Sequence, residues 1–412
     1  MPDGNDFDGK HLLSLVRSGS SPFEGLWDVN LLIQEIEANL DTQVIEIPDI
    51  STGSNNYGLY LKLSNRPDIV ARLSRGDVNM PNFEGPPIHK QILKVEFEVA
   101  VYQLLRSEPN IFTSRLLYHR IPVQHVGPRL DLPKDIAGRH LFLFERAEGE
   151  KDVWWELSPE QQDCLLAQSA RIHASLFNLN LPLDFATRPK MLPIPVAPTR
   201  EFCVALFMSK IEATIKNIGD MIGWESDNVT VGPIAAAAKQ SLLRLIPHIM
   251  PADNGQPSLY RLVLDHGDFG IHNMLITMNA NGEPPITSLY DWETGHIVPA
   301  ILSDPLMRLA VDLVTDENAA PSVIEVSHDA TLDDRAEYKT WARQYFKVLF
   351  NHAPNYKGVI EAGKDARHLW FALREWRGQD PEGYFGDLGA WAERRMKELG
   401  VDSAMSRIVY DD

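Results

Sequence analysis

His266-Gly267-Asp268-Phe269-Gly270-Ile271-His272-Asn273 opens the stretch that decides the fold, and Asp291-Trp292-Glu293 closes it. Pulled out, the pattern is H-G-D-x-x-x-x-N followed 18 residues later by D-W-E. Asp268 and Asn273 share one short loop, so both can converge on a single spot. Met274-Leu275-Ile276-Thr277 is then a short apolar run, and Asn279-Ala280-Asn281-Gly282 carries a turn signal. Ile286-Thr287-Ser288-Leu289-Tyr290 reads as the returning strand. A hairpin of that length brings Asp291 back beside Asn273. Either triplet alone reads as an ordinary turn or strand end; the two in order, joined by a hairpin, read as one site.

Asparagine and aspartate oxygens are suitable hard ligands for Mg²⁺. Phosphoryl transfer needs one carboxylate to meet an acceptor hydroxyl, and an asparagine with a second carboxylate to hold magnesium on the phosphates. The pattern therefore assigns Asp268 to the acceptor, and Asn273 and Asp291 to the metal. His272 reads as positional and His266 as a brace of the loop.

With these residues the chain resembles the aminoglycoside phosphotransferase family, small-molecule kinases of the protein-kinase-like fold. The family's HGDxxxxN loop falls on residues 266–273, and its D-x-[DE] metal strand on residues 291–293. Choline and ethanolamine kinases, with H-N-D and I-D-F-E, are the poorer match. The likeness covers residues 45–400. It implies an α+β fold with a small antiparallel β-sheet N-lobe bearing one helix, and a larger, mainly helical C-lobe. The implied division is an N-terminal extension with a helix over 1–44, a nucleotide-binding N-lobe over 45–145, and over 146–412 a C-lobe carrying the catalytic loop, the metal strand and the acceptor pocket.

The resemblance also implies where a nucleotide would sit. Thr52-Gly53-Ser54-Asn55-Asn56-Tyr57-Gly58 resembles the family's G-S-x-N loop, whose small residues let backbone N–H groups approach phosphate. Gly53, Ser54 and Asn55 are its candidate contacts; Leu59-Tyr60 stand where a Walker loop has Lys-Ser/Thr. Leu59-Tyr60-Leu61-Lys62-Leu63 and Ile69-Val70-Ala71-Arg72-Leu73 alternate like strands around a turn. I-V-A-R aligns with the kinase V-A-I-K, which places Arg72 at the phosphate-binding lysine; arginine can hold phosphate bidentately. Residues 88–106 read as a helix with Ile92, Val95, Val99, Tyr102 and Leu105 on one stripe. Glu96 and Glu98 both lie in it, and Glu98 is the better fit to the partner of Arg72. Residues 141–146 are the implied last strand and hinge, so that Phe144 and its neighbours offer backbone groups to adenine.

Elsewhere the pattern is of helices. Residues 29–40 read as one, whereas residues 1–20 read as poorly ordered. Residues 116–126 and 139–146 read as strands. Ser158-Pro159-Glu160-Gln161 is a capping box with proline at the first helical position. Further helices are expected around 202–218 and 232–250, after Asp304-Pro305, and over 331–351, 358–376 and 388–399, the last ending at Gly400. Trp341, Tyr345 and Leu349 read as a core stripe and His173 as a core histidine.

A chain of 412 residues is too long for one small core. Its 39 basic and 57 acidic residues leave a net charge of −18, which argues against a nucleic-acid partner and would suit a cationic acceptor. No apolar run reaches a membrane span, and the acidic, polar first residues resemble neither a signal nor a transit peptide. Cys164 and Cys203 make no disulfide framework and no zinc site. The expectation is a cytoplasmic monomer or homodimer using ATP, with GTP as the alternative donor, and Mg²⁺, to phosphorylate a small hydroxyl-bearing molecule. The competing reading is a nucleotide-binding pseudokinase or scaffold, favoured by Arg72 in place of lysine. A protein kinase is disfavoured by D-W-E and by the lack of an A-P-E element after it. The acidic tail Tyr410-Asp411-Asp412 is read as a disordered end.

Overall fold

A computed structural model of the chain describes residues 11–23, 25–126, 135–182, 194–215, 232–253, 258–378 and 380–401. The tail Tyr410-Asp411-Asp412, the first ten residues and the far end of the helix expected to 218 lie outside them. The chain divides into two compact units, Met1–Gln168 with Gly270–Gly295, and Ser169–Phe269 with His296–Asp412.

The first unit opens with α1 (Leu12–Arg17) and α2 (Val29–Leu40), the latter capped by the Asp28 carboxylate on the Asn30 N–H. Three antiparallel strands follow: β1 (Val44–Thr52), β2 (Asn56–Leu63) and β3 (Ile69–Ser74). After α3 (Ile88–Leu105) come β4 (Leu116–Arg120) and β5 (Leu141–Glu145). The sheet order is β1-β2-β3-β5-β4, every pair antiparallel. Alternation in β2 puts Tyr57, Leu59, Leu61 and Leu63 in the core, as a half-buried strand requires. They join one cluster with Leu12, Leu13 and Val16 of α1, Phe23, Trp27, and Leu32 and Ile36 of α2. The expectation of a poorly ordered start is thus corrected over residues 12–17, whose apolar side chains have a core to enter. The strand expected over 116–126 stops at Arg120.

Proline starts α4 (Pro159–Asn178), where the Ser158 N–H donates to Gln161 Oε1 at 2.8 Å and the Gln161 N–H to Ser158 Oγ at 3.4 Å. Later in the chain lie α5 (Arg200–Thr214), α6 (Gly232–Ile249) and β6 (Leu262–Asp265). The hairpin β7 (Met274–Ile276) and β8 (Ile286–Leu289) belongs to the first unit. In the second unit β6 pairs with β9 (His296–Pro299).

The helix expected after Asp304-Pro305 is absent. That segment forms a three-stranded antiparallel sheet of β10 (Met307–Arg308), β11 (Asp312–Thr315) and β12 (Pro321–Ile324). Val311, Val314 and Thr315 are β-branched, and Asp316 Oδ1 accepts the N–H groups of Asn318 and Ala320, both at 2.8 Å, to close the turn. Helices complete the unit: α7 (Leu332–His352) with its Thr331–Asp334 capping box, α8 (Pro354–Ala362), α9 (Lys364–Glu375) and α10 (Pro381–Glu398). The single helix expected over 358–376 is therefore two. At Gly363 between them, a Cβ would lie 2.5 Å from Ile301 Cγ1 and 2.9 Å from Ile301 O, so the close approach requires glycine. The last helix starts earlier than residue 388, with proline in its first turn and Gly400 left-handed after its end.

Trp341, Tyr345 and Leu349 are buried core, and His173 Nδ1 lies 2.7 Å from the Tyr345 hydroxyl. Burial lowers the His173 imidazole to about 4. In the first unit burial, aided by Arg72, lowers His140 to about 3. Both rings are neutral when folded, whereas an unfolded chain protonates them below about 6.5. The unfolded state then binds more protons, so stability falls as pH drops from about 6.5 toward 4, by up to about 1.4 kcal/mol per pH unit for each histidine. Urea titrations of wild type and His173→Gln at pH 7 and pH 5 check this. The difference between the two pH values should shrink in the variant, and an unchanged difference would contradict the burial argument.

Candidate active site

Antiparallel pairing sets Arg72 of β3 opposite Gly58 of β2 and Phe142 of β5. Its guanidinium lies 4.7 Å over the Phe142 ring and 5.7 Å from that of Phe144. From α3, Glu98 pairs with Arg72 Nη2; its side chain is 5% exposed and that of Arg72 14%. Glu96, two residues earlier and on another face of the helix, is exposed. Arg72 Nη1 is 3.4 Å from Asp291 Oδ1. Burial alone would lower the guanidinium, yet Glu98 and Asp291 raise it above the ordinary arginine value, so the cation is fixed in place.

Asp291 sits at the end of the hairpin. The Tyr290 N–H donates to Asn273 O at 3.0 Å, which closes the hairpin and carries Asp291 back toward Asn273. The Tyr290 hydroxyl donates to His272 O at 2.6 Å, and Asn273 Nδ2 is 3.1 Å from His272 Nε2. Asn273 is buried, whereas the Asp291 side chain is 45% exposed. Asp291 adopts φ 62° and ψ 61°, a left-handed conformation that costs energy for a side chain of this kind. Strain of this sort persists where surroundings over-determine it, and here the next residue, Trp292, is completely buried.

Gly53, Ser54 and Asn55 form the exposed turn between β1 and β2, while Gly58 lies within β2. The Gly53 N–H donates to Asn56 O, and Arg75 Nη1 donates to Gly53 O, both at 2.9 Å. Phe144 is buried in β5, stacked on Phe142 with ring centroids 5.8 Å apart. Beyond β5, Gly149 has φ +124° and approaches β7 so closely that a Cβ would sit 2.8 Å from Ile276 N and O. That approach lets Glu150 and Ile276 exchange both main-chain hydrogen bonds, at 2.8 and 3.0 Å.

In the second unit the loop before Asp268 is braced by Asp265. Its Oδ1 accepts the Gly267 N–H and its Oδ2 the Asp304 N–H, both at 2.9 Å. Burial opposes its ionisation, but His296 and those two N–H groups hold its carboxyl below the usual range. Gly267 takes φ +77°, which the loop needs and glycine supplies cheaply. Phe269 is buried against His173, with ring centroids 4.6 Å apart. The Asp268 side chain is 29% exposed, and its Oδ1 accepts from Arg308 Nη1 at 2.8 Å. The Arg308 N–H also donates to Phe269 O at 3.0 Å. Arg308 carried no signal in the sequence, because its segment reads as helix. Asp265 was not singled out in the sequence either, since its partners Gly267 and Asp304 meet it only in the fold.

Among the described residues no group of three or more His, Cys, Asp and Glu side chains could hold a metal ion. Magnesium does not ask for such a cage: one or two carboxylates, substrate phosphates and water suffice. The carboxylate of Asp291 and the amide oxygen of Asn273 fit that demand.

No protein-family model matches the chain, and no curated protein matches it. Solved structures match over most of the chain. The ternary complex of streptomycin, ATP and APH(2'')-IIa shares 11% identity at a TM-score of 0.47, over 89% of this chain and 96% of that one. The ADP-bound aminoglycoside phosphotransferase APH(2'')-Ib shares 12% at 0.45, over 88% and 97%. Choline kinase from Cryptosporidium parvum shares 14% at 0.41, over 92% and 97%. All three are phosphotransferases. Aminoglycoside phosphotransferases, which the motifs at 266–273 and 291–293 resemble, are among these matches.

Proposed function

We propose that the chain is an ATP- and Mg²⁺-dependent kinase that phosphorylates a hydroxyl of a small molecule, with GTP as the alternative donor. The observation that carries the reading is the buried Arg72–Glu98 pair reaching an Asp291 held in a left-handed conformation. A fixed cation beside a strained, half-exposed carboxylate is an arrangement for polyphosphate and metal rather than for packing.

Arg72, steadied by Glu98, binds the α/β-phosphates. Gly53, Ser54 and Asn55 offer loop N–H groups, and the β5 main chain near Phe144 meets the base. Asn273 and Asp291 hold Mg²⁺, which when bound neutralises phosphate charge. Asp268 orients the acceptor hydroxyl and takes its proton, with Arg308 and Asp265 fixing the loop. Most of the rate gain then comes from positioning and charge neutralisation. Residues 45–145 carry the nucleotide and residues 146–412 the acceptor chemistry. An acidic protein of this kind suits a cationic acceptor and no nucleic acid. Cytoplasmic location, no membrane partner and a monomer or homodimer complete the reading; no helix among the described residues is long and apolar enough to cross a membrane.

The direct test is transfer of labelled γ-phosphate to a panel of amino alcohols, sugars and aminoglycosides, with ATP and with GTP. Transfer to one class establishes the activity. Tight nucleotide binding with no transfer to any would favour the pseudokinase, whose supporting observation is Arg72 at the lysine position.

A further inference from the structure

Glu293 closes the D-W-E triplet, two residues after Asp291. Its oxygens face the turn between β1 and β2. Asn55 Nδ2 donates to Oε1 at 3.1 Å, and Asn56 Nδ2 donates to Oε2 at 3.2 Å. Both oxygens are therefore engaged, each by a neighbouring residue of one loop, across more than 230 positions of sequence.

The rest of the arrangement fixes both ends of this contact. Trp292 is completely buried and the Gly295 N–H donates to Trp292 O at 3.0 Å, so the main chain under Glu293 is held. On the loop side His140 Nε2 is 3.2 Å from Asn56 Oδ1. Burial keeps His140 neutral. With Nε2 as donor, the Asn56 oxygen is committed to His140 and its NH₂ must point to Glu293. Arg75 adds a third hold: its N–H donates to Asn55 O and its Nη1 to Gly53 O, both at 2.9 Å.

We propose that Glu293 is a positioning residue whose carboxylate holds the loop 53–56 down on the end of the Asp291 hairpin. A nucleotide binds by exchanging that carboxylate for phosphate oxygens on Asn55 and Asn56. The charges make this an exchange rather than an addition. A phosphate offers the same kind of anionic acceptor to the same NH₂ groups, and it repels the carboxylate it replaces. The inference rests on the reading of 53–56 as the nucleotide loop.

The test uses the full chain in EDTA, so that metal ligation by Glu293 does not enter. Wild type, Glu293→Gln and Asn55→Ala are compared by amide hydrogen exchange over residues 53–56 without ligand. Association of a fluorescent N-methylanthraniloyl-ATP is then followed by stopped flow for wild type and Glu293→Gln. Thermal unfolding shows that the variants are folded. Loss of one charge-assisted contact should speed loop exchange by roughly tenfold in both variants, and should speed nucleotide association in Glu293→Gln by a similar factor. Unchanged loop exchange in both would overturn the hold by Glu293, whether or not nucleotide binds. Faster exchange with unchanged association would overturn the exchange step. If neither protein binds the nucleotide in EDTA, association is measured with Mg²⁺ present; failure of both there removes the kinase reading and this step with it, while the exchange data still report the loop contact.

Discussion

Asp268→Asn leaves nucleotide binding in place and lowers phosphoryl transfer by roughly 10²-fold or more, the scale of a general base. The substitution keeps shape and removes the charge. Its site tolerates this: the side chain is partly exposed, and the loop is held from elsewhere by Asp265, Gly267 and the Arg308 N–H on Phe269 O. What is lost is the carboxylate that accepts from the Arg308 guanidinium and, on the proposed function, the acceptor for the hydroxyl proton. The loss should appear in kcat with the nucleotide KM little changed, because the proposed role of Asp268 is toward the acceptor rather than ATP. Steady-state kinetics on the acceptor found in the panel decides it, and full turnover by Asp268→Asn would remove Asp268 from the chemistry.

Glu98→Ala is expected to have the largest effect on stability, about 3 kcal/mol or more. Arg72 is buried over Phe142 and has Glu98 as its buried partner. Removing that carboxylate leaves a guanidinium in a low-dielectric setting whose remaining ion pair, among the described residues, is the longer 3.4 Å contact to Asp291. The exposed Arg115–Glu145 pair in the same unit is the comparison; breaking it should cost within about 1 kcal/mol, since solvent screens both charges. Chemical denaturation of Glu98→Ala and Arg115→Ala separates the two cases. Equal small losses would mean that the Arg72–Glu98 pair is not buried as described. Nucleotide affinity should fall in Glu98→Ala alone.

The α+β architecture was legible because its signals are local. The alternation of residues 59–63 and 69–73, the box at Ser158 and the turn between Met274 and Leu289 each specify their own geometry. Asp268, Asn273 and Asp291 followed from spacing; Arg72, and Glu98 over Glu96, followed from the family resemblance. What could not be read was set by distant partners. The segment after Asp304 is short and apolar, so periodicity could not separate strand from helix; the Asp316 turn decided for strands and delivered Arg308 to Asp268. Residues 12–17 are too short to declare a helix alone and gain it by burial on the sheet. The meeting of Asn55 and Asn56 with Glu293 joins two ends of the sequence and no local rule foretells it.

Thermal unfolding of wild type and Asp291→Ala with millimolar ATP or GTP, with and without Mg²⁺, probes the nucleotide–metal site itself. A ligand that binds only the folded state stabilises it, by about 2.7 kcal/mol at a hundredfold excess over Kd. Wild type should show a Mg²⁺-dependent rise in Tm that Asp291→Ala loses. No rise with ATP or with GTP, or an equal rise in the variant, would contradict a nucleotide–metal site built on Arg72, Asn273 and Asp291.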